Sequence, residues 1–278
     1  MARRAAGDGR LDGPGLMPSF LCAACGTQFR ESDEPPTECP ICCDERQYVP
    51  NEGQRWVTYD EVRSTHRADI REEQAELTGI GMKPDFGIGQ RALLLESQGG
   101  NVLWDCLPLL DEMASFVESR GGLRAIAISH PHYYTTMVEW AHRFECPILI
   151  HELDCEWVQR PDESVELWQG DGHELWDGLT LLRLGGHFPG GQVLQWPSGG
   201  ALLSGDIVQV LPGSRWVSFM YSYPMLIPLP AREVERIVAA LEPWEFDRIY
   251  GAWWGRVVPE GGKDVVRRSA ERYVRALA

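Results

Sequence analysis

The sequence predicts an α/β domain in which two sheets pack together with helices outside them, preceded by a small cysteine-paired head. Three observations predict it. Strand-like apolar runs alternate with helical stripes from about residue 86 onward. Four of the eight cysteines fall into two tight pairs near the N-terminus. Three of the strand-like runs end in loops that present histidine or aspartate.

The chain has 278 residues, 44% hydrophobic and 24% charged, which suits one large domain plus a small one. A formal net charge of −15 repels phosphate backbones and anionic bilayer surfaces, so nucleic acid and membrane are not expected as partners. Residues 1–18 carry arginines with no apolar stretch behind them, which is not a secretory signal. They read as a flexible tail, with Met17 a candidate natural start. No apolar run approaches the ~20 residues of a bilayer span, and a cytoplasmic location is expected. In a reducing compartment the cysteine pattern favours metal binding over disulfides.

The head, residues 19–50, carries Cys22 and Cys25, thirteen intervening residues, then Cys39 and Cys42. Two thiolate pairs on tight turns can wrap one ion tetrahedrally, and Gly26 and Pro40 suit such turns. The segment is too short to bury an adequate core alone, so metal is expected to supply folding energy. It resembles a rubredoxin-like zinc ribbon, with "CAACG" and "CPIC" as the knuckles. Cys43 stands where rubredoxins have glycine after the second knuckle and reads as a spare thiol. The resemblance covers residues 20–50 and does not choose between zinc and iron; structural zinc is the first expectation, with a redox iron centre as the alternative.

Residues 51–84 read as a connector. Thr58 with Glu61 forms a capping-box pattern, and residues 59–78, rich in Glu, Arg and Gln, read as a solvated helix with His66 on its surface.

The body is expected over residues 85–278. "QRALLLES" and "NVLWDC" are strands joined by a Gly-Gly hairpin signal. Leu109, Leu110, Met113, Phe116 and Val117 stripe a helix, and "LRAIAIS" is the next strand. Thr136 with Glu139 signals a capping box opening another helix. "CPILIHE", "LTLLRLGG", "GQVLQW" and "GALLSGDIVQV" read as strands. Val234, Ile237, Val238 and Leu241 stripe one late helix; Val265, Val266, Ala270, Tyr273, Val274 and Leu277 stripe the last.

"AISHPH", "LRLGGHFPGG" and "LLSGDIV" together offer His130, His132, His187 and Asp206. Neutral imidazoles and a carboxylate are what a borderline cation such as Zn²⁺ prefers. The order of these motifs over residues 86–258 resembles the metallo-β-lactamase superfamily. That resemblance implies an αββα metallo-β-lactamase sandwich with a metal site on one edge between the sheets. It maps the first metal's three histidines onto His130, His132 and His187 and the bridging carboxylate onto Asp206. The family's second-metal ligands map onto Tyr134, Thr135 and Trp253, none of which is a usual ligand, so one body metal is expected rather than two. "HPHYY" with a rubredoxin-like head also resembles a bacterial subgroup described only as hydrolases.

The remaining candidates are weaker. His142 is expected on a helix surface, and His173 in a solvent-facing turn. His151 reads as packing or a substrate contact, and Asp154 and Trp157 as core or rim. Tyr134, and less so Tyr133, either fills the second metal's volume or donates to a developing oxyanion. Residues 216–230, aromatic and proline-broken, wall an apolar pocket or form a subunit interface. The leading expectation is a mononuclear zinc hydrolase acting on a small ester, lactone or thioester, with a water activated at the metal and Asp206 as ligand or general base. The absence of a two-metal clamp weighs against phosphodiesters. The rivals are an iron redox protein fed through the head, and a non-catalytic binder of metal or small molecules. The sequence leaves a homo-oligomer open.

Overall fold

The computed structural model describes residues 18–278, so the expected N-terminal tail lies outside the described residues except for Pro18. Two sheets form the centre. The seven-stranded sheet runs in chain order through Arg67–Gln74, Leu77–Lys83, Ala92–Leu95, Val102–Trp104, Ala125–Ala127, Ile148–His151 and Val165–Trp168. Its first four strands pair antiparallel and its last four parallel. The six-stranded sheet runs through Gly172–Glu174, Thr180–Arg183, Gln192–Trp196, Ala201–Gly205, Arg248–Gly251 and Val257–Val258. Its one parallel step, Ala201–Gly205 to Arg248–Gly251, is crossed by the helix Ala231–Leu241.

Alternation along the strands explains the layering. Leu93, Leu95, Val102 and Trp104 meet Leu181, Leu194, Trp196 and Leu203 between the sheets. Leu94, Leu103 and Ile126 point the other way, under helices Asp111–Ser119 and Met137–Phe144. Leu202, Val193 and Ile249 face helices Ala231–Leu241 and Gly262–Leu277. Strands buried on both faces read as nearly continuous apolar runs, as these do. The result is the expected αββα sandwich. Of the last helix's expected stripe, Val265, Val266 and Ala270 are buried, while Leu277 is exposed. No helix among the described residues is long and apolar enough to cross a membrane.

The connector differs from expectation. The capping box is real: Thr58 accepts from the Glu61 amide, and Glu61 accepts from the Thr58 amide at 2.7 Å. But the helix is only Tyr59–Thr65, and Arg67–Gln74 with Leu77–Lys83 is a hairpin on the edge of the main sheet. The reason is a period of two that the charge run conceals. Leu77 faces the inter-sheet core, whereas Ile80 and Met82 face the helices. Gly79 and Gly81 leave room for the Trp254 indole; a Cβ at 81 would sit 2.7 Å from its Nε1. Gly81→Ala is therefore expected to destabilise the protein by about 1–3 kcal/mol through overpacking, read as a lower denaturant midpoint. An unchanged midpoint would show that Trp254 does not hold that hairpin.

A second expectation is also corrected. Thr136 and Glu139 form no capping box. The Thr136 hydroxyl accepts from the Leu109 amide at 2.8 Å. Glu139 accepts instead from Gln28 of the head, at 2.6 Å, and from Arg160. Helix-start chemistry has been given up for a contact between head and body.

The head begins with Phe20–Cys22, paired antiparallel with Trp56–Thr58. A single helical turn, Pro40–Cys43, carries the second knuckle. Its buried apolar cluster is small: the four paired cysteines with Phe29 and Ile41.

Candidate metal centres

In the head, Cys22 Sγ and Cys42 Sγ are 3.5 Å apart, and Cys25 Sγ and Cys39 Sγ 3.6 Å. Four sulfurs on a tetrahedral ion with bonds of about 2.3 Å would be separated by about 3.8 Å, close to this spacing. Sulfur-to-sulfur hydrogen bonds, first that with Cys25, pull Cys22 toward the thiolate; the reciprocal bonds with Cys22 push Cys25 and Cys42 up. Gln54 Nε2 donates to Cys22 Sγ at 3.0 Å, a further support for charge on sulfur. Cys43 is exposed and outside the cluster, as expected of a spare thiol.

In the body, one ligand atom from each of His130, His132, His187 and Asp206 lies within 4.8 Å of the others, and all four residues are buried. They arrive from separate strand ends. His130 follows Ala125–Ala127 and opens the turn Pro131–Tyr133. The Ser129 amide donates to Asp105 Oδ1 at 2.7 Å, which fixes that strand end. Asp206 follows Gly205, whose φ of +54° and a prospective Cβ only 2.6 Å from Ser129 Oγ both demand glycine. His187 follows Gly185 and Gly186. The buried Gln192 side chain ties the layers by donating to the Ile128 and Leu149 carbonyls and accepting from Trp168.

Second contacts orient the imidazoles. His187 Nδ1 donates to the Tyr221 carbonyl at 2.6 Å, which leaves Nε2 with a free lone pair. His130 Nδ1 meets Ser129 Oγ at 2.9 Å. On the inner side, His187 Nε2 and His132 Nδ1 are 3.3 Å apart. His130 Nε2 lies 3.0 Å from Asp206 Oδ1, yet neither atom makes a hydrogen bond. His132 Nε2 is likewise buried without a partner, so three of the four residues bring an unmated polar atom into one small volume. That arrangement fits a cation with nitrogen and oxygen donors, as in zinc-type sites.

Charge agrees with geometry. Burial pushes His132 well below its ordinary range and His187 down to about 4, so both imidazoles are held neutral, the form a metal ligand takes. Burial opposes ionisation of Asp206, but His130 and His187 outweigh it and hold the carboxyl below the usual carboxylate range. Burial pushes Asp105 up to about 7 and Asp154 up to about 6. Asp154 accepts from the Gly190 amide at 2.7 Å, clasping the loop that carries His187.

His132, His187 and Asp206 line a cavity of about 560 Å³. The head supplies Ala24, Gln47 and Tyr48 to the same wall. Trp253 lines it too, its Nε1 donating to the Ile88 carbonyl at 3.0 Å. Tyr223 and Pro224 show that part of the 216–230 segment does wall this pocket.

Tyr134 lies elsewhere. Its side chain is buried and off the cavity, its hydroxyl has no hydrogen-bond partner among the described residues, and its carbonyl accepts from Gln28 of the head. The oxyanion contact expected of Tyr134 is thus not made; the docked head covers this turn. Tyr133 stands edge-on to His130, ring centroids 4.8 Å apart. Thr135 is buried and accepts from the Thr136 amide. Among the described residues no third group of metal-type side chains accompanies the two centres.

His151 is a packing residue: its Nε2 meets the Gly170 carbonyl at 2.9 Å and its ring stands against Trp168. His142 is exposed and pairs with Asp162. His173 lies in a strand, half-buried and stacked on Trp168, rather than in a solvent-facing turn. Sequence reasoning missed Asp105, Gln192, Tyr221 and Arg46, because their roles come from contacts between residues distant in the chain.

The sandwich, the strand-end ligands and the four-cysteine head define a metallo-β-lactamase-fold protein with an N-terminal cysteine centre. Among solved structures, the metallo-β-lactamase FIM-1 from Pseudomonas aeruginosa in its mono-zinc form superimposes with a TM-score of 0.57 and 13% identity, over 74% of this chain and 95% of that one. The peroxy diiron form of the chemotaxis sensor ODP gives 0.54 and 16%, over 74% and 94%. No family model matches the sequence. The chain is 47% identical over 268 residues to the uncharacterized protein YmaE of Bacillus subtilis (strain 168), covering 94% of this chain and 97% of that one, and it belongs to the YmaE family.

Proposed function

We propose that this protein is a metal-dependent hydrolase that holds one zinc-type cation with His130, His132, His187 and Asp206 and acts on a small uncharged ester, lactone or thioester. One observation carries the reading: four buried donors converge, His130, His132 and Asp206 each with an atom that has no hydrogen-bond partner, and His132, His187 and Asp206 line a cavity. A cation held there lowers the pKa of a coordinated water and polarises a carbonyl. Asp206, kept ionised, would contribute the single negative charge that neutral imidazoles lack, and its place on the cavity wall would let it hold the cation or orient a water beside it. Tyr133 and Tyr134 are space-filling. Tyr223 reaches the cavity, but its hydroxyl donates to the Ser218 carbonyl at 2.9 Å.

The cavity wall indicates the charge of the substrate. Tyr48, Ile88, Pro224 and Trp253 make it partly apolar, Asp85 adds a carboxylate, and no described lysine or arginine lines it. A carboxylate or phosphate placed on the substrate away from its reacting carbonyl would meet Asp85 with no lysine or arginine beside it, the cation's charge being shared with Asp206 and that carbonyl. At several ångströms and intermediate screening the repulsion from Asp85 is of order 1 kcal/mol, so kcat/KM for such a substrate is expected to be about fivefold below that of its neutral counterpart.

The test is to strip metal with a chelator, restore zinc, and screen neutral and anionic acyl substrates in pairs. Zinc-dependent hydrolysis that favours the neutral member supports the reading. Metal-loaded protein with no acyl turnover overturns it; tight small-molecule binding in that case would make it a binding protein. A second reading, a redox protein, draws on the direct contact between the cysteine head and the body site. Iron in the purified protein, with a visible chromophore, would favour it over hydrolysis.

A further inference from the structure

The head touches the outer face of the body centre at two residues that no motif marked. Arg46, four positions beyond Cys42, is buried in the body. Its guanidinium lies 4.0 Å from the Phe188 ring centroid and 5.0 Å from that of Trp157. Phe188 in turn packs against every imidazole of the centre: His130 at 5.6 Å, His132 at 5.0 Å and His187 at 5.1 Å between ring centroids. Arg46 Nη1 also reaches the His187 carbonyl at 3.4 Å. The neighbouring Glu45 accepts from the Tyr221 hydroxyl at 2.8 Å, and Tyr221 is the residue whose carbonyl fixes the His187 tautomer. Asp44 locks the Arg46 fork, with Nε to Oδ1 at 2.6 Å and Nη2 to Oδ2 at 2.9 Å. Asp44 itself caps the helical turn that carries Cys42, its amide donating to the Pro40 carbonyl at 3.1 Å.

We propose that the cysteine head is the brace of the body metal centre, with Arg46 as its positioning residue, so that ordering of the second knuckle raises the affinity of the histidine site. The path is short and continuous. The Cys39–Cys42 turn sets Asp44, Asp44 sets Arg46, and Arg46 with Glu45 presses on Phe188 and Tyr221 behind His187. Nothing in this path enters the coordination sphere, so the effect falls on how well the donors are held. Outer supports of metal ligands typically contribute 10–100-fold in affinity. The inference rests on the body centre being a metal site.

The experiment is a Co²⁺ titration against a competing chelator. The thiolate-to-cobalt charge-transfer bands report the head, and the visible d–d bands of the nitrogen–oxygen site report the body. The wild-type chain is expected to load both sites; if its histidine site takes no cobalt, the metal-centre reading fails and this proposal with it. In Arg46→Met, which keeps an apolar stem on Phe188, the head bands are expected to persist while body affinity falls 10–100-fold. Arg46→Lys, cationic but without the fork, is expected to fall between. Wild-type loading with body affinity in Arg46→Met within twofold of it overturns the brace while leaving the metal centre intact. Loss of the head bands in Arg46→Met would also overturn it, since Arg46 would then shape the knuckle rather than transmit its order.

Discussion

His187→Ala is expected to abolish stoichiometric metal at the body centre while leaving the head loaded, so that metal content falls from two equivalents per chain to one. The side chain is buried, its Nδ1 is spent on the Tyr221 carbonyl, and its Nε2 lies 3.3 Å from His132 Nδ1. Removing a direct ligand must cost more than removing a ligand's support, so affinity should fall by more than about 100-fold. Stability separates this from general damage. A ligand at 100 times its Kd stabilises the folded state by about 2.7 kcal/mol, so once the head is loaded further zinc should raise the Tm of the wild type and not that of the variant. Without metal the variant should suffer little, since it relieves a crowd of desolvated imidazoles. A variant that still binds two equivalents, or that keeps the zinc-dependent Tm shift, would remove His187 from the centre.

Stripping metal from the head is expected to have the largest structural effect. The buried cluster there is mostly sulfur, with Phe29 and Ile41 as its buried hydrocarbon side chains. Structural zinc contributes an apparent ~10–16 kcal/mol to folding in small cysteine modules at neutral pH, far more than those side chains can offer. Thiol labelling reads the outcome directly. Cys43 and Cys155 are exposed and should react in the native protein, whereas Cys106 and Cys146 are buried in the body. After chelation, Cys22, Cys25, Cys39 and Cys42 should join the reactive set, and protease should cut within residues 19–50 before it attacks the sandwich. If the four head thiols label at the same rate with and without chelator, they hold no metal. Cys39→Ser should mimic chelation, because a buried hydroxyl is a poor substitute for the fourth thiolate.

How much of this was legible in the chain follows from how local each feature is. The knuckle cysteines lie close together on tight turns, so spacing alone exposes them. The strand ends at His130, His187 and Asp206 are each marked by an apolar run that ends within three residues of a glycine or proline. The sheets and helices of the body announce themselves through periods of two and 3.6. The connector failed this way, because the charged residues of Arg67–Gln74 cover the solvent face of an edge hairpin and mask its alternation. Glu139 failed for a different reason: a side chain that could close a capping box found Gln28 and Arg160 instead, contacts made across 111 and 21 residues of chain.

By itself, then, the sequence exposed the cysteine quartet through its spacing and the layered class of the fold through its periodicity, while the four candidate donors of the body were marked by strand-end motifs and by the family order those motifs resemble. Only the tertiary structure decided that the cysteine head walls the cavity, that Tyr134 stands away from it, and that Arg46 lies behind His187, 141 residues along the chain. Contacts of that separation are set by how whole layers pack, and packing leaves no periodic trace in the order of amino acids.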